Sequence, residues 1–301
     1  MKIGPLYIIA SLCLLISFAS CSSGSRFSLR ENAPSITSVP KESGHLSVNG
    51  IDIYYEIHGS GEGVPLVLLN GGGSNIEVTY GRILPLFAQH RKVIALDEQA
   101  HGRTSDRNAP VRFDSSADDV AGLLKQLKIE KADVFGFSNG ASVALQLTLR
   151  HPQLVRKLVF ASSMTKKSGA PPQFWDFMKK ATFKSMPQPL KDAFLKVNPD
   201  PKKLHTMYEK DVNRMLNFRD TSDREVKSVK APTLIISGDR DVGTLEHAAE
   251  LTRLISGSRL IVLPSGHGEY LGEILTVSGT KTRYPELTAA LVEEFLDEES
   301  N

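Results

Sequence analysis

Apolar residues along the chain fall into short unbroken runs, at 65–69, 93–96, 134–135, 158–160, 233–236 and 260–263. Each is bounded by Gly, Asp, Ser or Asn, and such runs suit strands buried on both faces of a parallel sheet. A strand is also predicted at 51–57, where Ile and Tyr dominate, with Asn49-Gly50 as a hairpin turn from a strand at 45–48. Between the runs lie helical periods. Val120, Leu123, Leu124 and Leu127 repeat at i, i+3, i+4, i+7, with Ser116 and Asp119 at capping spacing. Leu287, Leu291 and Phe295 follow Pro285, which suits the first turn of a final helix. An antiparallel start followed by strand–helix repeats predicts an α/β fold, a mostly parallel eight-stranded sheet with helices on both faces.

One stretch, 165–228, breaks the alternation. It has helical character, no strand pattern, and many large apolar residues, among them Phe174, Trp175, Met178, Met215 and Phe218. It predicts an inserted helical cap whose aromatic and Met side chains pack on one another and line an apolar pocket wall. Its lysines, such as Lys179, Lys180 and Lys184, are expected on a solvated face.

Composition adds little to this. Hydrophobic residues at 41%, charged residues at 23% and a net charge of +2 are ordinary for a globular protein and give no reason to expect nucleic acid. The N-terminus says more. Lys2 precedes an apolar run from Ile3 to Phe18, shorter than the ~20 residues of a membrane span. Residues 1–20 read as a secretory signal peptide. Phe18-Ala19-Ser20-Cys21 resembles a bacterial lipoprotein box, so Cys21 is a candidate lipidation site, with ordinary cleavage after Ala19 or Ser20 as the alternative. Residues 21–44, rich in Ser, Gly and Pro, read as a flexible tether carrying a folded domain at 45–301. The expectation is export to the cell envelope, anchored to a membrane through Cys21, or otherwise periplasmic or secreted. The cysteines are Cys13 and Cys21, and Cys13 would leave with the signal, so no internal disulfide and no cysteine metal site is expected.

Chemistry concentrates at the ends of the predicted strands. Gly136-Phe137-Ser138-Asn139-Gly140 stands between an apolar strand and a helical pattern, the context that makes G-x-S-x-G informative. A sharp strand-to-helix turn exposes the Ser138 hydroxyl and leaves no room for side chains at Gly136 and Gly140. A serine hydroxyl is a weak nucleophile and needs a base, itself held by a third group. The strand at 233–236 runs on to Asp239 and Asp241, and the strand at 260–263 to His267. In a parallel sheet these ends share an edge with Ser138, where ligand sites form. Asp241 is favoured over Asp239 by its position in the motif. His101 is expected to pack a loop. The loop after 65–69 reads Asn70-Gly71-Gly72-Gly73. Its Gly72 N–H, with Gly71 as the alternative, and the N–H of Asn139 are the candidate oxyanion donors.

Together these motifs resemble the α/β-hydrolase superfamily over about residues 48–297. Asn70-Gly71-Gly72 resembles its His-Gly-x oxyanion loop. The stretch from Asp97 to Thr104 resembles its Asp-x-Arg-Gly-x-Gly-x-Ser turn. Gly238-Asp239-Arg240-Asp241 resembles its acid motif, and Gly266-His267 its histidine loop. Asn70 replaces the usual His, Gln99 the usual Arg, and 268–284 is longer than usual, a candidate second lid element. The resemblance implies an α/β-hydrolase fold with an inserted cap and a serine hydrolase acting through Ser138, His267 and Asp241. It implies no metal and no organic cofactor. A small-molecule ester with a small or medium acyl group is the expected substrate. C–C bond, lactone or peptide hydrolysis, or a non-catalytic binding protein of the same fold, are the alternatives.

Overall fold

The computed structural model describes residues 39–276 and 282–299; the predicted signal segment at 1–20 and Cys21 lie outside the described residues. Eight strands form one sheet: β1 (Glu42–Val48), β2 (Ile51–His58), β3 (Leu66–Leu69), β4 (Val93–Leu96), β5 (Ala132–Phe137), β6 (Val155–Ala161), β7 (Thr233–Arg240) and β8 (Arg259–Gly266). Their spatial order is β1-β2-β4-β3-β5-β6-β7-β8. β1 and β2 are antiparallel, β2 meets β4 antiparallel, and all other neighbours are parallel. The first hairpin turns through Asn49 and Gly50 at φ 48° and 83°, the doubly left-handed turn that suits this dipeptide. β1 begins at Glu42, three residues before the strand read from the sequence, because the ladder with β2 continues to Ile57.

Among the described residues ten α-helices cover or cap the sheet: α1 (Ile76–Tyr80), α2 (Leu84–Phe87), α3 (Phe113–Gln126), α4 (Asn139–Arg150), α5 (Pro172–Lys180), α6 (Gln188–Val197), α7 (Pro201–Leu216), α8 (Asp223–Lys227), α9 (Leu245–Leu254) and α10 (Tyr284–Asp297). Alternate residues of the central strands face opposite layers, as period two demands. Val67, Leu69, Val134 and Leu158 pack with α3, α4 and α9, whereas Leu66, Leu68, Phe135 and Val159 pack with α1, α2 and α10.

Three local expectations are corrected. α3 starts at Phe113, so Ser116 and Asp119 lie inside it; Asp119 instead receives hydrogen bonds from Arg107 and Asn49. On α10 the buried face is Pro285, Ala289, Val292 and Phe295, and Leu287 and Leu291 are exposed. β8 is an edge strand paired only with β7, so its run is half-exposed, with Val262 at 44%.

The helices α5, α6 and α7 lie between β6 and β7. Their apolar residues form two clusters, one around Met186, Leu190, Phe194 and Met207, the other around Met164, Met215 and Phe218. α8 differs: Val226 is buried with the cover of the sheet, so the inserted layer closes before it. Among the described residues no helix is long and apolar enough to cross a membrane.

Candidate active site

The carboxyl ends of β3, β5, β6, β7 and β8 meet along one edge of the sheet, and the candidate residues hang from them. β5 turns into α4 through Ser138, which has φ 54° and ψ −120°, a conformation L-residues rarely adopt. Two glycines make the turn possible. A Cβ on Gly136 would lie 2.2 Å from the Gly140 carbonyl oxygen, and one on Gly140 would lie 2.1 Å from that of Leu69. Ser138 stands at the N-cap position of α4 yet makes no side-chain cap bond, so its hydroxyl is available to other partners.

That partner is His267. Its Nε2 lies 3.1 Å from Ser138 Oγ, and its Nδ1 lies 2.6 Å from Asp241 Oδ1. An ionised carboxylate only accepts, so Nδ1 carries the proton and Nε2 accepts from the serine. Asp241 is fixed on both oxygens. Oδ1 also accepts from the Val242 N–H at 2.7 Å; Oδ2 accepts from the Gly238 N–H at 3.0 Å and from Ser162 Oγ. Burial opposes its ionisation, but the hydrogen bonds from His267, Ser162 and Gly238 outweigh this and hold the carboxyl below the usual carboxylate range. The rival Asp239 is exposed and pairs with Arg240 at 3.4 Å.

Ser162 and Tyr270 complete this network, and sequence reasoning missed both. Ser162 directly follows β6 at φ 51°, and its Oγ lies 2.5 Å from the Tyr270 hydroxyl. Burial pushes the Tyr270 phenol well up, so it stays a donor: Tyr270 donates to Ser162, and Ser162 to Asp241. Tyr270 and Leu271 are fully buried in the sheet's core, so the start of the 268–284 stretch is packing and not a lid. The available signal was positional: β6, like β5, β7 and β8, had to end on this edge.

In the glycine loop the Gly71 N–H faces Thr79 Oγ1 at 3.3 Å and the Gly73 N–H faces His101 Nε2 at 3.3 Å. Among the described residues the Gly72 N–H has no acceptor, whereas that of Gly71 is engaged. Gly72 and Asn139 line a cavity of about 160 Å³ together with Ser138 and His267. His101 does pack a loop: its Nδ1 donates to the Gln99 carbonyl at 2.9 Å, leaving Nε2 as the acceptor for Gly73. Asn70 is a scaffold residue, donating to the Leu96 carbonyl at 2.8 Å.

The roof of the cavity is cap helix α7, bonded to the sheet edge by buried polar groups. Arg214 Nη1 donates to Glu98 Oε2 at 2.8 Å, and its Nη2 reaches Asp211. Lys210 Nζ reaches Asp106 Oδ1 and the carbonyls of Arg107 and Ala109 at 2.6–2.9 Å. Gln99 Nε2 donates to these same three acceptors at 2.8–3.3 Å. The cation missing at position 99 is thus supplied by the cap. Among the described residues no group of three or more His, Cys, Asp or Glu side chains is placed to hold a metal ion.

Behind the histidine loop, Glu273 is buried against Gly268, and burial pushes its carboxyl from 4.5 up to about 7. The fold therefore binds a proton that the unfolded chain has already released. Stability is full below about 4.5 and is lost as pH rises to about 7, by up to roughly 3 kcal/mol at 1.36 kcal/mol per pKa unit. Glu273→Gln is expected to flatten that decline in urea midpoints between pH 5 and 8. Equal slopes in the two proteins would refute it.

A family model described as the α/β-hydrolase fold matches residues 64–206. With the sheet order and the serine turn, this match gives the chain the α/β-hydrolase fold. A 2-hydroxymuconate semialdehyde hydrolase from Pseudomonas sp. strain CF600 is 38% identical over 36% of this chain, and the match spans only 39% of that protein's length. The AB hydrolase superfamily protein YisY of Bacillus subtilis strain 168 is 29% identical over 71% of this chain and 88% of its own. Among solved structures, Est816, described as an N-acyl homoserine lactone degrading enzyme, is 28% identical with a TM-score of 0.64, over 84% of this chain and all of that one. These likenesses support a hydrolase of the α/β-hydrolase fold.

Proposed function

We propose that the chain hydrolyses carboxylic esters of small acyl groups, with Ser138 as nucleophile, His267 as general base and Asp241 as the group that orients the imidazole. The observation that carries this reading is the unbroken hydrogen-bond chain from Ser138 through His267 to Asp241. Ser138 Oγ attacks the carbonyl carbon as its proton passes to His267 Nε2. The Gly72 and Asn139 N–H groups hold the oxyanion, a role worth about 3–4 kcal/mol for each donor in comparable sites. His267 then protonates the departing alcohol, and in the second half it takes a proton from water as the hydroxide attacks the acyl-enzyme. The cavity is small, about 160 Å³ against roughly 300–1,000 Å³ for common ligand pockets, which favours a short acyl chain.

The test pairs turnover with labelling. The purified protein is expected to hydrolyse a short-chain nitrophenyl ester and to be labelled on Ser138 by a fluorophosphonate. Labelling without ester turnover would point to another hydrolysis at the same serine. Of these, lactones are favoured by the likeness to Est816, described as a lactone-degrading enzyme, a lactone being a cyclic ester. No labelling would leave a binding protein. Export with a lipid on Cys21 is a separate proposal resting on Phe18-Ala19-Ser20-Cys21; mass spectrometry of the mature N-terminus decides it, an unmodified residue there removing the anchor.

A further inference from the structure

Asp211, on α7, is a carboxylate in the wall of the catalytic cavity that the reaction scheme leaves unused. Its two oxygens have different surroundings. Oδ1 accepts from Asn139 Nδ2 at 3.2 Å and from Arg214 Nη2. Oδ2 accepts no hydrogen bond from any described residue, and it is not among the buried atoms cut off from solvent. It lies close against the glycine loop: a Cβ on Gly72 would lie 2.4 Å from it. An open carboxylate oxygen therefore stands beside the loop that supplies one oxyanion donor.

The charge around it is unbalanced. Arg214 is buried, with its side chain 1% exposed, and is shared between two carboxylates, Asp211 and Glu98. One guanidinium against two carboxylates, with the neutral His101 ring 3.8 Å from Oδ1, leaves a formal charge of −1 under the cap. Burial works against the ionised form of Asp211, but the Arg214 guanidinium holds it below the usual carboxylate range, so it is an anion at neutral pH. An anion beside the oxyanion hole is costly to acyl transfer unless something positive meets it, because charge interactions are strong where water is excluded. Among the described residues no side chain brings a donor to Oδ2. A substrate cation, with N–H donors, is the missing complement.

We propose that the substrate's acyl half carries a protonated amine, within two or three bonds of the scissile carbonyl, and that Asp211 Oδ2 accepts its hydrogen bond. The acyl half is the one concerned because the leaving group must reach water, whereas Asp211 lies under α7. The apolar neighbours, Met178, Met215 and Phe218, would enclose the small side chain of such an aminoacyl group. Carboxylate-bearing acyl groups are disfavoured by the same charge. This inference rests on the ester-hydrolase reading above and names the substrate class for it.

The test compares the ethyl esters of alanine and isobutyrate, near-isosteres differing in ammonium against methyl. Each kcat/KM at pH 7 is divided by that ester's hydroxide-catalysed rate to remove intrinsic reactivity. The wild-type enzyme is expected to prefer the alanine ester at least tenfold, and Asp211→Asn to bring the ratio towards one, mainly through KM. Equal or reversed preference in the wild type overturns the proposal, and that ratio decides even if the variant is not recovered folded. A ratio unmoved in Asp211→Asn also overturns it and leaves Asp211 as a support for Asn139. If both esters are inert, the ester reading fails, and the ammonium site is read separately by fluorophosphonate labelling of Ser138. Alaninamide slowing that labelling more than isobutyramide does supports the site; equal effects or none remove it.

Discussion

Ser138→Ala is expected to lower ester turnover by on the order of 10⁴- to 10⁶-fold while leaving the melting temperature within a few degrees of wild type. The size follows from the mechanism. Without the hydroxyl no acyl-enzyme forms, and only the cavity and its two N–H donors act on the carbonyl. The fold should tolerate the change, because Ser138 makes no side-chain cap bond to α4, and alanine removes only the bond to His267. His267→Ala is expected to cost nearly as much. The double variant should be little worse than either single one, since the two groups act as a unit. Rates on a chromogenic ester, with the protein first purged of contaminating esterase, decide this. A Ser138→Ala protein that retains a tenth of the wild-type rate would falsify the assignment of the nucleophile.

Gly140→Ala is expected to produce the largest loss of stability of any single methyl group added to this sheet edge. The new carbon would meet the backbone carbonyl of Leu69 at 2.1 Å and that of Asn70 at 2.5 Å. Neither obstacle is the end of a flexible side chain. Gly140 opens α4 directly after β5, which is joined to β3 from Leu66 to Leu69, so relief requires pushing the start of α4 off the end of β3. Overpacking in ordinary cores costs about 1–3 kcal/mol, and this case should exceed that range. Gly44→Ala is the matched control, since its Cβ would meet only the Tyr55 ring at 3.8 Å. Urea midpoints and soluble yield are the measurements. Two variants equally close to wild type would mean that the elbow is not tight.

The sheet was legible in the sequence because its central strands are buried on both faces, and double burial writes a continuous apolar run. Where burial is one-sided the signal weakened. β8 looked like a core strand and is an edge, and Leu287 and Leu291 looked like the inner face of α10 and lie outside it. Ser138, Asp241 and His267 could be found because each sits one turn beyond such a run, where chain geometry leaves few choices. Ser162, Tyr270 and Asp211 were not found, and each for a physical reason. Their roles depend on which atom of a distant segment they meet, as Asp211 meets Asn139 across 72 positions of chain. A lone Asp on a charged helix carries no local mark of that. The substitution of Arg by Gln at position 99 was visible, but its compensation by Lys210 was not, since no periodicity links a loop to a helix over a hundred residues further on.

The serine and the histidine do not stand on equally firm ground. β5, which presents Ser138, has a ladder on either side, to β3 and to β6, whereas β8, which presents His267, is laced along one margin only. Loosening at the sheet's open border would carry the imidazole away first and leave the hydroxyl in place, so the enzyme's working lifetime is tied to the weakest seam of its scaffold and not to its centre.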